Sequence, residues 1–125
     1  MINARAETVE EKNTFSKAFR ETRCVFPLSG FYEWDSEKRK LLFTSTERDV
    51  FYLGGFYRIH KTGAGFETES IIMTTKPNES VSPIHDRMPL IIQKDHIEKW
   101  ITELDFARNY LTEDMPKLNH TEVAK

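Results

Sequence analysis

One carboxyl group in this sequence is surrounded by aromatic residues, in the segment Gly30-Phe31-Tyr32-Glu33-Trp34. Side chains alternate along a strand, so Glu33 is expected on the same sheet face as Phe31. Partial burial there would raise the pKa of the carboxyl and suit it to proton transfer near neutral pH. The alternative is a glutamate on an edge strand that points into water, and the residues leave both interpretations open.

A second segment, His85-Asp86-Arg87-Met88-Pro89, brings an imidazole, a carboxyl group and a guanidinium together. If the segment is extended, His85 and Arg87 face the same way and could act as a proton-transfer group beside an anion clamp for a phosphate. The alternative is a salt-bridged loop held on a sheet. Neither His85 nor Arg87 is spaced from other His or Cys residues as metal ligands are, so we predict no metal and no cofactor.

Other residues with potential chemistry carry less information by themselves. Cys24 follows Arg23, and a neighbouring cation can lower the pKa of a thiol. Its position in an apolar run favours a buried structural cysteine instead. Asn3 and Arg5 lie just ahead of the first predicted helix, where an amide and an arginine are ordinary surface residues.

Strands and short helices must position these groups. Runs of aromatic and β-branched residues, separated by Pro, Gly or charged clusters, predict strands at 24–26, 30–34, 41–45, 50–59, 66–75 and 90–92. Helical spacing after two capping boxes, at 8–11 and 95–98, predicts helices over 9–21 and from 95 to about 104, with a further turn or two over 105–111. The pattern indicates an α+β fold: a mainly antiparallel sheet or incomplete barrel with two or three short helices.

The length of 125 residues suits one domain, which we place at residues 1–111. Residues 112–125 are polar and are expected to be a frayed tail. Residues 76–89 hold three of the five prolines and are predicted to form a loop. Loops of this length inside a domain are often functional.

Charge and cysteine content narrow the classes of function. The 18 Lys and Arg against 20 Asp and Glu give a net charge of −2. This charge disfavours binding of nucleic acid by bulk electrostatics, so any contact with nucleic acid must come from a few specifically placed residues. A single cysteine allows no internal disulfide and fits a reducing compartment. With no secretory signal or membrane span in the sequence, we predict a cytoplasmic protein, nucleoid-associated if bacterial, without a membrane partner.

Four blocks in this order resemble the SOS response-associated peptidase (SRAP) family of abasic-site processing proteins. The blocks are Asn3-Ala4-Arg5-Ala6-Glu7-Thr8, Arg23-Cys24-Val25-Phe26-Pro27 with the segment around Glu33, Thr74-Thr75 with Asn78, and Ile84-His85-Asp86-Arg87-Met88-Pro89. The resemblance covers about residues 2–103, the larger C-terminal part of the family domain. It implies a SRAP-like fold with a positively lined groove for single-stranded DNA.

The resemblance also implies a chemistry and roles. Family members capture an abasic site with an N-terminal cysteine, whose α-amine attacks the sugar aldehyde and whose thiol closes a thiazolidine ring. By match of motif, Asn3 would position the amine and sugar, Glu33 would shuttle protons, and His85 would assist at the sugar hydroxyl. Arg5 and Arg87 would hold the flanking phosphates. The family name also implies a peptidase, a weaker implication than the DNA chemistry.

The chain departs from the family at its start, Met1-Ile2-Asn3, where the N-terminal cysteine and the preceding part of the domain are missing. We expect one of three explanations: the chain is a fragment, it comes from a shortened reading frame, or a separate chain supplies the missing part of the domain. Whether the chain is an enzyme stays open. The Met1 amine would form at most a weak, reversible imine.

The sequence leaves three functions open: abasic-site processing on single-stranded DNA, a non-catalytic DNA-binding remnant, or a peptidase using Cys24 with His85.

Overall fold

The computed structural model describes residues 2–123, which fold into nine strands and three α-helices. The strands are β1 (Ile2–Arg5), β2 (Arg23–Leu28), β3 (Phe31–Trp34), β4 (Lys40–Ser45), β5 (Phe51–Thr62), β6 (Gly65–Thr75), β7 (Met88–Pro89), β8 (Ile91–Ile92) and β9 (Leu118–Glu122). The helices are α1 (Asn13–Glu21), α2 (Ile97–Thr102) and α3 (Leu104–Tyr110), with a 3-10 turn at Lys94–His96. The predicted α+β class is confirmed.

The larger sheet is built around the β5–β6 hairpin and has the strand order β1-β6-β5-β2. β7 pairs with β6 and β8 with β5, while β1 runs parallel to β6. The hairpin turn contains Gly65 at φ +133°, a conformation that glycine adopts without a steric cost. Helices α1 and α2 pack against this sheet and enclose a core that includes Phe19, Phe56 and Trp100.

The smaller sheet is antiparallel in the order β3-β4-β9. A second core joins the two sheets. The smaller sheet contributes Phe43 and Leu118, and the larger sheet contributes Leu53, Met88 and Ile91. In the described residues the two sheets stay separate and do not close into a barrel. The site described below lies where this core meets the β1 edge of the larger sheet.

The structure corrects the predictions at both ends of the described chain. β1 was not predicted, because Ile2–Arg5 contains a single β-branched residue and depends on its parallel ladder with β6. The expectation of a frayed tail is wrong for Leu118–Glu122, which pairs with β4 along its whole length. Only Leu118 of that strand is buried, so the backbone hydrogen bonds of an edge strand hold a polar sequence in place.

Both predicted capping boxes are also wrong. α1 begins at Asn13 rather than at residue 9, and no side chain caps it. The residues before it form turns, in which the Glu11 N–H donates to the Thr8 carbonyl and Val9 is buried in the core. α2 likewise starts without a side-chain cap, at Ile97. None of the helices in residues 2–123 combines the length and the apolar character needed to cross a membrane.

Candidate functional site

A cleft of about 530 Å³ is lined by residues of both sheets and of the loop before β7. Its lining includes all five residues to which the family resemblance assigns a role: Asn3, Arg5, Glu33, His85 and Arg87. These residues come from β1, β3 and the proline-rich loop, which are far apart along the chain. The fold therefore brings the amide, the carboxyl group, the imidazole and both guanidinium groups into one cavity.

β1 presents Asn3 and Arg5 to the cleft because its side chains alternate between two faces. Ala4, between them, is buried in the core, whereas Asn3 and Arg5 are exposed. The parallel register with β6 sets Arg5 opposite Thr74, another residue of the cleft lining. An unpredicted strand thus carries two of the five candidate side chains.

Glu33 lies on β3, opposite Leu41 of β4, and its side chain is only 22% exposed. Burial raises the pKa of this carboxyl, and the negative charge of Asp86 raises it further, against an opposing effect of the charge on His85. The expectation of a partly desolvated Glu33 is confirmed, and the alternative of a carboxylate pointing into water is not. A carboxyl with a raised pKa can donate a proton closer to neutral pH.

The imidazole of His85 faces Glu33 through its Nδ1 atom, which lies 3.0 Å from Oε2 of the carboxyl. The backbone N–H of Arg87 also approaches this nitrogen, at 3.2 Å. A carboxylate oxygen and an unprotonated ring nitrogen are both acceptors, so a 3.0 Å contact requires a proton between them. Glu33 and His85 therefore form a proton-sharing pair.

Arg87 is held by an ion pair with Glu7. Its Nη1 donates to Oε2 of Glu7 at 2.6 Å and its Nη2 donates to Oε1 at 2.9 Å. Nη2 also donates to the Thr74 carbonyl at 2.9 Å. The hydrogen bond from Arg87 lowers the pKa of Glu7 to about 2. The salt-bridged loop predicted as the alternative is present, and a phosphate on Arg87 would have to share the guanidinium with Glu7.

The sequence did not point to two residues: Glu7, which holds Arg87 from outside the cleft lining, and Tyr32. Glu7 belongs to the same motif as Asn3 and Arg5, but its partner Arg87 lies in a different segment, and no local pattern links them. Tyr32 lines the cleft, is 48% exposed, and has Nζ of Lys40 4.2 Å from its ring centroid. Lys40 precedes the apolar run of β4, opposite Trp34, so a hairpin register would have indicated this contact.

Cys24 does not meet the conditions for a cysteine peptidase. Burial raises the pKa of its thiol to about 11, which leaves very little thiolate near neutral pH. His85 directs Nδ1 at Glu33 and the Arg87 backbone instead. The structural interpretation of Cys24 is therefore favoured over the Cys24–His85 hypothesis. The Met1 amine, to which weak imine formation was assigned, lies outside the described residues.

Across residues 2–123, no group of three or more His, Cys, Asp or Glu side chains is arranged to hold a metal ion. What the cleft offers is a carboxyl–imidazole pair with an amide and two arginines around it. Side chains of these types can transfer protons and bind an anion.

Comparison with known proteins gives the family. The family model described as SOS response associated peptidase (SRAP) matches residues 1–125. The chain therefore belongs to the SRAP family.

Individual relatives agree with this assignment. Abasic site processing protein YoaM of Bacillus subtilis (strain 168) is 38% identical over 116 residues, which cover 89% of this chain and 51% of the relative. Abasic site processing protein YoqW of the same strain is 36% identical over 116 residues, covering 89% of this chain and 52% of the relative. The chain spans about half the length of these curated relatives.

A crystal structure of a protein from Bacteroides thetaiotaomicron shares the fold. It superimposes with a TM-score of 0.83 at 26% sequence identity, over 98% of this chain and 58% of the other.

Proposed function

We propose that this cleft recognises abasic sites in single-stranded DNA and supplies the acid–base groups that process them. The proposal rests chiefly on the 3.0 Å contact between His85 and Glu33 inside a cleft that also contains Asn3 and two arginines. The similarity to relatives that carry the name abasic site processing protein supports it.

The dimensions and charge of the cleft suit an extruded deoxyribose. Its volume of about 530 Å³ lies in the range of small-molecule sites, about 300–1,000 Å³. Arg5 is exposed at the cleft and can contact a phosphate beside the abasic sugar, and Arg87 is the second cation in the lining. Because the net charge of the chain is −2, affinity comes from these few contacts. We expect a shallow salt dependence, with a log–log slope of about −0.7 per phosphate contact.

The chemistry follows from the open-chain form of an abasic sugar, which is an aldehyde. An amine adds to this aldehyde, and loss of water from the adduct gives an imine. Water leaves more readily when the hydroxyl group receives a proton, which protonated Glu33 can supply. The nitrogen loses a proton as the neutral imine forms, and His85 can accept this proton and pass it to Glu33. The amide of Asn3 would hydrogen-bond to the sugar or the attacking amine.

The attacking group of the family chemistry is an N-terminal cysteine, as the resemblance implies, and its amine and thiol are not among residues 2–123. The described residues therefore contribute the proton-transfer and binding parts of the reaction. Covalent protein–DNA crosslinking belongs to the proposal only when such a cysteine is available to the cleft.

The proposal is tested by DNA binding. The full chain is titrated into two labelled single strands of the same sequence, one intact and one with a single abasic site, and fluorescence anisotropy is followed. We expect tighter binding of the abasic strand. Equal affinity for both strands would overturn the proposed function.

Borohydride reduction of the same mixtures separates processing from binding. A trapped adduct or strand cleavage at the abasic site that is lost in Glu33→Gln supports processing. Glu37→Gln is the matched control, because Glu37 lies in the turn of the same β3–β4 hairpin and is 72% exposed. Preferential binding without any trapped or cleaved product would favour the non-catalytic DNA-binding remnant.

A further inference from the structure

The guanidinium of Arg87 is almost fully engaged before any ligand arrives. Of the five N–H groups of an arginine, four have acceptors within residues 2–123: two on Glu7 and two on Thr74. The two Glu7 contacts fill the end of the guanidinium with a bidentate carboxylate. Arg87 nevertheless lines the same cleft as Glu33 and His85.

We propose that Glu7 occupies the position that a DNA phosphate takes on Arg87, so that strand binding exchanges the carboxylate for a phosphate. This inference rests on the proposed function and adds that Glu7 limits the affinity of the protein for DNA. A carboxylate and a phosphate present two oxygens to a guanidinium in the same planar, bidentate arrangement. Glu7 therefore competes with a phosphate for the same donors.

The surroundings of the pair allow the exchange. Glu7 is the more exposed partner, at 40% against 16% for Arg87, so its carboxylate can swing into solvent. Arg87 keeps its contacts with the carbonyl and hydroxyl of Thr74 when Glu7 leaves. The guanidinium consequently stays in place beside the cleft, with the two N–H groups that held Glu7 available to a phosphate.

A second bidentate ion pair, made through Nε and Nη2 of Arg108, provides a matched control. Arg108 donates to both oxygens of Glu10, at 2.8 and 2.9 Å, and neither residue lines the cleft. Glu10→Gln and Glu7→Gln therefore remove equivalent carboxylates at equal change in net charge. Only the second substitution frees an arginine that faces the proposed DNA site.

The first experiment measures the affinity of the full chain for an abasic single strand by anisotropy. We expect Glu7→Gln to bind about two- to fivefold more tightly than wild type, the equivalent of one exposed ion pair. Glu10→Gln should leave the affinity unchanged, and the gain should disappear in Glu7→Gln/Arg87→Gln. Unchanged affinity in Glu7→Gln would overturn the inference. Weaker binding would also overturn it, because Glu7 would then anchor Arg87 instead of competing for it.

The second experiment needs no DNA. The Nε–H NMR signal of Arg87, assigned by its loss in Arg87→Gln, is followed during titration with inorganic phosphate in wild type, Glu7→Gln and Glu10→Gln. We expect the signal to respond at a lower phosphate concentration in Glu7→Gln than in the other two. A response in this order without preference for abasic DNA would support the exchange and reject the proposed function. Identical responses in all three proteins would reject the exchange while the DNA result stands.

Discussion

Nδ1 of His85 lies 3.0 Å from Oε2 of Glu33, and the contact joins the proline-rich loop to the smaller sheet. Burial raises the pKa of Glu33, so this carboxyl holds a proton more readily than one in water. A ring nitrogen of the imidazole beside it can accept or donate a hydrogen bond. Two groups of this kind at hydrogen-bonding distance can pass a proton in either direction.

Glu33→Gln should abolish proton transfer while keeping the size and hydrogen-bonding capacity of the side chain. Since a positioned acid–base group contributes about 10²- to 10⁴-fold to a rate, we expect formation of the trapped abasic adduct to slow by about 100-fold or more. Binding of the abasic strand should change little. Single-turnover borohydride trapping measures the rate, and a variant that reacts as fast as wild type would exclude Glu33 as the proton donor.

The same substitution should increase stability in a pH-dependent way. The folded pKa of Glu33 lies above its value of 4.5 in the unfolded chain, so the folded state binds this proton more tightly. Stability contributed by the protonated group is present below 4.5 and is lost as pH rises through the folded pKa. Glu33→Gln should therefore need more urea to unfold than wild type at about pH 7, with the difference vanishing at about pH 3.5. A difference that is largest at the lower pH would contradict the raised pKa.

The sequence predicted the central strands and the desolvation of Glu33, because both follow from local alternation of side chains. β5 and β6 were recognised from their aromatic and β-branched residues, although each extends beyond the predicted bounds. β1 and β9 were missed because their sequences have weak strand propensity. Pairing with β6 and β4 stabilises them, and such long-range pairing is invisible to a local pattern.

The sequence predicted which residues belong to the site but not how they are arranged in space. Motif resemblance selected Asn3, Glu33 and His85, and the fold brings them into one cleft lining. Their proximity depends on the parallel β1–β6 ladder and on the path of the loop before β7, which the sequence alone does not specify. The ion pair between Glu7 and Arg87 was beyond prediction for the same reason.

Arg23 should be essential for stability although it lies outside the cleft. Its buried guanidinium donates to the carbonyls of Phe19 and Arg20 at the end of α1 and of Trp100 and Ile101 in α2. Arg23→Met leaves these acceptors unpaired, and we expect a loss of about 3 kcal/mol in the free energy of unfolding. Urea denaturation measures the loss.

Two further variants test this role of Arg23. Arg23→Lys should recover only part of the stability, because an ammonium group lacks the planar fork. Arg48→Met, at an exposed position, is the control and should change stability by less than about 0.5 kcal/mol. Equal losses at both arginines would show that charge, not helix capping, is responsible.

Gly55 should not tolerate a side chain. A Cβ atom at this position would lie 2.2 Å from the Ile71 carbonyl oxygen and 2.7 Å from the Phe26 ring. Gly55→Ala must therefore separate β5 from β6, and we expect a loss of about 1–3 kcal/mol. Gly63→Ala is the matched control, because nothing lies within 4 Å of a Cβ atom there. Thermal unfolding of the two variants provides the comparison, and similar melting temperatures would contradict the close packing.

Tyr32 should contribute to binding of a DNA strand by stacking on a base next to the abasic site. Its ring is 48% exposed at the cleft, and base–aromatic stacking is worth about 1–3 kcal/mol. We expect Tyr32→Ala to weaken binding of the abasic strand by about tenfold, as measured by anisotropy. Phe66→Ala removes an aromatic ring that is 75% exposed on the β5–β6 hairpin and is not part of the cleft lining. That control should bind like wild type, whereas equal losses in both variants would mean that any exposed ring contributes and that the strand does not follow the cleft.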